Sequence, residues 1–158
     1  MRRGEFCAAA IGAVLAACSS PPPREQPRSA PAAAVIKPAD QSRHFPLAAQ
    51  VRIDLVDNHL LGKDFLPGGN VAEYRRKGGT YRQFLVRGKS PQDAALLMFE
   101  FKNHLRDPKY LPHMGGYFGM DGAEPVYLFQ KADFLAGFVG LPEKEADPLA
   151  RQFAARLH

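Results

Sequence analysis

Lys77-Gly78-Gly79-Thr80 is the segment that most restricts how this chain can fold. Two consecutive glycines supply the positive φ angles of a tight hairpin turn without steric cost. The flanking residues, Val71–Arg76 and Tyr81–Arg87, read as the two strands of that hairpin. In the second strand Phe84 and Val86 fall on one face, with Tyr81, Gln83 and Leu85 on the other. A helix has to begin almost at once. Ser90 is a good N-cap, Pro91 suits the first helical position, and Asp93 complements the positive end of the macrodipole. Ala94, Leu97, Met98, Phe101 and Leu105 then repeat at helical spacing, and the helix is expected to stop near Arg106, ahead of Asp107-Pro108.

The rest of the folded part follows the same grammar. Val51–Val56 alternates as a strand. A Gly-rich passage at 115–119 leads to a second β pair, Val126–Gln130 and Phe134–Val139, around a turn at Lys131–Asp133. Phe134, Ala136 and Phe138 alternate on one face of its second strand. A terminal helix is expected from an N-cap at Asp147 with Pro148 just inside it, burying Leu149, Phe153 and Leu157 and leaving Arg151 and Arg156 solvated. Strand, hairpin, helix, hairpin, helix is the order of an α+β domain: an antiparallel sheet with two helices packed on one face, in two layers. Residues 46–158 are enough for one core, and a hydrophobic fraction of 46% with 11 Phe supports one.

The N-terminus has a different logic. Arg2-Arg3 precedes an apolar stretch over residues 6–14, and Leu15-Ala16-Ala17-Cys18 follows. That ending resembles the lipobox of bacterial lipoprotein signal peptides. The stretch is well short of the roughly 20 residues a spanning helix needs before Ser19-Ser20-Pro21-Pro22-Pro23 breaks it. Arg2-Arg3 also raises twin-arginine export, although Gly4-Glu5-Phe6 fits that pattern poorly. The resemblance implies that residues 1–17 are a signal peptide removed on export, and that Cys18 receives lipid and becomes the new N-terminus. Ser19 in place of aspartate implies an outer-membrane lipoprotein facing the periplasm, with the inner membrane and the cell surface as alternatives. Residues 18–45 are rich in Pro, Ala, Ser and Arg and read as a disordered tether. At ~3.1 Å per residue it would reach on the order of 85 Å. Cys7 leaves with the leader and Cys18 is consumed by lipid, so the domain has no disulfide, cysteine nucleophile or cysteine metal site.

Ser90-Pro91-Gln92-Asp93-Ala94, Gly116-Tyr117, Leu128-Phe129-Gln130-Lys131 and the aromatic strand and helix after them form a second likeness. Over Pro91–Leu157 the chain resembles an uncharacterised family of exported bacterial domains of unknown function. The shared motifs are structural rather than chemical, the N-terminal half departs from the family, and the likeness implies no activity.

No catalytic signature emerges. Gly88-Lys89-Ser90 lies where a phosphate-binding loop would, but the pattern requires a glycine at the place held by Gln83. Ser90 and Thr80 are the only serine and threonine after residue 46, and each has a structural role, as N-cap and turn residue. His59, His104 and His113 lack metal-ligand spacing, and His113-Met114 cannot clamp both faces of one haem iron. No cofactor or metal is expected. Asp54, Asp57, Asp64, Asp121 and Glu124 could furnish the carboxylate pair of a glycosidase, but a chain without tryptophan lacks the usual sugar-stacking surface.

The strongest binding signal is basic. Arg75, Arg76, Lys77, Arg82, Arg87 and Lys89 fall on one hairpin with no acid among them, interleaved with Tyr74 and Tyr81. Such a patch would suit an envelope protein or an anionic surface. Nucleic acid is an improbable partner for an outer-membrane protein, and a charge-protected strand edge is the plain alternative. Tyr117 and Phe118 form a second candidate contact. The expected function is a lipid-anchored, non-enzymatic envelope protein that binds a partner or joins an assembly. A carboxylate hydrolase of cell-wall or sugar polymers, and a carrier of a small hydrophobic ligand, are the alternatives.

Overall fold

The computed structural model, which describes residues 37–158, has seven β-strands and two α-helices among those residues. They are β1 (Gln50–Asn58), β2 (Pro67–Arg76), β3 (Gly79–Arg87), α1 (Pro91–His104), β4 (Arg106–Leu111), β5 (Gly116–Asp121), β6 (Glu124–Lys131), β7 (Phe134–Val139) and α2 (Glu143–Ala154). All seven strands join one antiparallel sheet in the order β1-β2-β3-β7-β6-β5-β4. The fold is α+β, a seven-stranded antiparallel sheet against which two helices pack. The leader, Cys18 and the tether through residue 36 lie outside the described residues.

The first hairpin forms as its turn dictates, with Gly78 at φ 86° and Gly79 at φ 152°. Ser90 caps α1 by accepting a hydrogen bond from the Asp93 amide at 3.1 Å. Ala94, Met98, Phe101 and Leu105 are buried, as their spacing requires.

The helices do not share a face. On α2's side, Ala146, Ala150, Phe153 and Leu157 pack with Leu85, Tyr127, Phe129, Ala136 and Phe138. On the other side Met98 and Phe101 of α1 pack with Phe84, Val86, Leu128, Leu135 and Val139. Each half is a two-layer packing of helix on sheet, and the sheet is common to both. The expectation of one helical face is therefore corrected, and the reason lies in the central strands. Every residue of β7 is buried, and so are Gln83–Val86 of β3 and Val126–Phe129 of β6. A strand covered on both faces is apolar at successive positions, not alternate ones. The two strand-pair-then-helix units thus send their helices to opposite faces across the antiparallel β3–β7 pair, so no two-fold rotation relates them.

Three further differences have local causes. β4 and β5 occupy what reads as a break and a glycine-rich loop. Asp107-Pro108 is tolerated because β4 is a sheet edge and its register is irregular between Arg106 and Lys109. The terminal helix starts at Glu143 after Pro142, one turn before Asp147. Ala146 buried on the sheet and the pairs Lys109–Glu143 and Arg76–Glu145 hold that extra turn. Finally, ordered packing begins upstream of residue 46. Phe45 packs with its ring tilted 52° and centred 5.3 Å from Phe153, His44 Nδ1 lies 2.7 Å from the Arg156 carbonyl, and the Gln41 amide donates to buried Asn70.

Candidate functional site

The six hairpin cations do not form one patch. Alternation along the strands sends Arg76 and Arg87 to the α2 face and Arg75 and Arg82 to the α1 face. Three of them meet acids from other elements: Arg76 pairs with Glu145 at 2.7 Å, Arg82 with Glu124 at 2.6 Å and Arg87 with Asp133 at 2.8 Å. Arg87 also lies 5.7 Å over the Phe134 ring. The acids missing between Arg75 and Lys89 are supplied by the fold.

Arg75, Lys77 and Lys89 are exposed and belong to none of the ion pairs among the described residues. Arg75 and Lys77 border a cleft of about 420 Å³ together with Arg76 and with Ala49, Gln50 and Val51 from the start of β1. Val51 is half-exposed, and Leu47 just upstream is 84% exposed. This corner combines free cations, apolar side chains and the outer strand of the sheet. Lys89 borders a separate cleft of about 320 Å³ with Lys37, Pro67 and Arg87.

Tyr117 and Phe118 are likewise separated. As successive residues of β5 they point to opposite faces, and β7 and β6 stand between that strand and the hairpin. Tyr117 joins the α1 side, 5.3 Å from Tyr110 and 6.3 Å from Phe99, with the Lys102 ammonium 5.7 Å from its ring centre. Phe118 packs on the α2 side.

The residues weighed for catalysis sit in ordinary surroundings. Asp121 is paired with Lys63 at 2.6 Å and Glu124 with Arg82. His104 stacks on Phe65 at 4.3 Å, and its Nδ1 lies 2.8 Å from the Glu100 carbonyl. Among the described residues no three His, Cys, Asp or Glu side chains gather as metal ligands would.

One constellation was not legible in the sequence. Asp147, displaced from the cap into the body of α2, accepts the Tyr127 hydroxyl at 2.8 Å and meets His113 Nε2 with the same Oδ1. Its Oδ2 takes Arg151 Nε at 2.9 Å. The His113 contact, and after the opposing effect of burial the Tyr127 hydroxyl, hold the Asp147 carboxyl below its ordinary 3.8. Burial first, and the carboxylate facing it second, push the Tyr127 phenol well above 10. The four residues come from α2, β6 and the β4–β5 loop, so no spacing announces them. The one available signal is Tyr127 inside an apolar strand, since a buried phenol needs a partner.

No protein-family model, curated protein or solved structure matches the chain.

Proposed function

We propose that this is a lipid-anchored, non-enzymatic envelope protein whose domain docks onto an acidic segment of another envelope protein. The observation that carries the reading is the corner formed by Arg75, Lys77 and Ala49–Val51. Two cations without ionic partners flank a cleft of about 420 Å³ beside the outer strand β1. Elsewhere the hairpin's arginines are already neutralised by Glu145, Glu124 and Asp133. An acidic, extended segment complements both the charge and the open strand edge. The resemblance of Leu15-Ala16-Ala17-Cys18 to a lipobox supports a lipid anchor, Ser19 favours the outer membrane, and a Pro-rich tether over residues 18–45 would give the domain reach.

The test is crosslinking in the bacterium that makes the protein, followed by recovery of the tagged chain and mass spectrometry. Wild type should yield one dominant envelope protein. The Arg75→Glu/Lys77→Glu protein should lose it while keeping the wild-type melting temperature, and Cys18→Ala should lose both membrane retention and the crosslink. Undiminished recovery by the charge-reversed protein would sink the corner as the contact. An empty wild-type result would sink the partner itself.

A further inference from the structure

The Asp147 constellation borders a cleft of about 270 Å³ on the α2 face, lined by His113, Met114, Phe129, Gln130, Lys131, Arg151 and Ala154. Its charged and titratable lining groups are all potential cations: His113 from the β4–β5 loop, Lys131 at the end of β6 and Arg151 from α2. Asp147 lies outside the lining, with Oδ1 engaged by Tyr127 and His113 and Oδ2 by Arg151. Its role is to hold two donors in place while its own oxygens stay occupied. Lys131 has no such tie, since the lysines that form ion pairs among the described residues are Lys63 and Lys109. Gln130 is fixed by donating to the Pro91 and Ala132 carbonyls at 2.8 and 2.9 Å. Met114, Phe129 and Ala154 add an apolar surface to the same cleft.

We infer that this cleft binds a phosphate monoester carrying a small apolar body. Three donors from three separate elements, the Lys131 ammonium, the Arg151 guanidinium and, with Nε2 turned to Asp147, the Nδ1–H of His113 in its imidazolium form, match the three terminal oxygens of a phosphate monoester, whereas a carboxylate offers two. Fixing His113 and Arg151 in advance through Asp147 lowers the ordering cost of binding. The apolar part of the ligand packs against Met114 and Phe129. A soluble ester and the headgroup of phosphatidic acid share this chemistry.

The experiment is calorimetric titration of the full chain, reconstituted in phosphatidylcholine nanodiscs, with phenyl phosphate and with inorganic phosphate. Phenyl phosphate should saturate below about 1 mM and bind more tightly than inorganic phosphate. Lys131→Gln and His113→Gln should each weaken it about tenfold or more, a loss in the range of one charge-assisted hydrogen bond. Lys131 is exposed at a strand end, so its variant keeps the fold. Repeating the titration in discs containing phosphatidic acid separates the sources: weakened phenyl phosphate binding identifies the lipid headgroup, and unchanged binding a soluble ester. No saturation up to about 10 mM overturns the inference. So does equal affinity for the two titrants, or wild-type binding by both variants.

Discussion

The ring of Phe84 lies on Gly137: a Cβ added to that glycine would stand 2.7 Å from the ring's Cε1 and Cζ and 2.4 Å from the Tyr127 carbonyl oxygen. The two residues face each other across β3 and β7 at the centre of the sheet. Phe84 in turn packs 5.8 Å from Phe101 and so transmits the position of the sheet to α1. Gly137→Ala has no room to relax, because one of its neighbours is backbone. It should destabilise by about 1–3 kcal/mol, the usual cost of overpacking a close-packed core. A shift in the urea midpoint at constant m-value measures it, and an unshifted midpoint would contradict the close approach.

Pro148 sits in the sixth position of α2, where it has no N–H to give the Lys144 carbonyl. Pro148→Ala should therefore raise stability by about 1–3 kcal/mol. Thermal melting reads this directly. A fall in melting temperature would mean that α2 is better described as beginning at Asp147.

Asp147 makes stability pH-dependent on the acid side. Its folded pKa is depressed, so its contribution is complete above the ordinary 3.8 and is lost as pH falls through the folded value. Asp147→Asn should be less stable near neutrality, and the gap to wild type should narrow progressively below pH 3.8. Urea midpoints across that interval decide it, and parallel curves would refute the network. Tyr127→Phe removes one of the three contacts and should cost about 1 kcal/mol.

Tyr74 acts on the opposite limb. Burial raises its phenol from 10.0 to about 12, and its hydroxyl donates to the Pro46 carbonyl at 2.8 Å. The folded value exceeds the unfolded one, so the stability is complete below pH 10 and disappears as pH rises toward 12. Tyr74→Phe should show a shallower alkaline decline. Ultraviolet titration should find Tyr74 ionising at about 12, a step that Tyr74→Phe removes.

The hairpin, the Ser90 cap and the α1 stripe were legible because each rests on contacts within a few residues. The distribution of helices over the sheet was not read, although a clue stood in the sequence. Phe134, Ala136 and Phe138 account for one face of β7, but Leu135, Gly137 and Val139 are just as apolar. A strand with no polar face has to be covered twice. β4 was hidden by Pro108, which local rules read as a break and an edge strand accommodates. The basic patch was overestimated for a related reason: Glu145, Glu124 and Asp133 lie some 40 to 70 residues from the arginines they neutralise. Local sequence reports which charges a hairpin carries, and only the tertiary fold reports which of them remain unspent.

The two ends of the sheet are unequal. β4 carries Asp107 at φ 52° and Pro108 without an amide hydrogen, so its outer side offers a broken ladder. β1 runs nine residues with no proline, Val51 and Leu55 are half-exposed, and its register irregularity is confined to Gln50–Arg52 at its start. Growth by strand addition is therefore directional. Two copies meeting edge to edge through β1 would close into a symmetric pair whose outer ends are both β4, and a third copy would find nothing to extend. The proline strand thus caps one end of the sheet and leaves strand addition to the other.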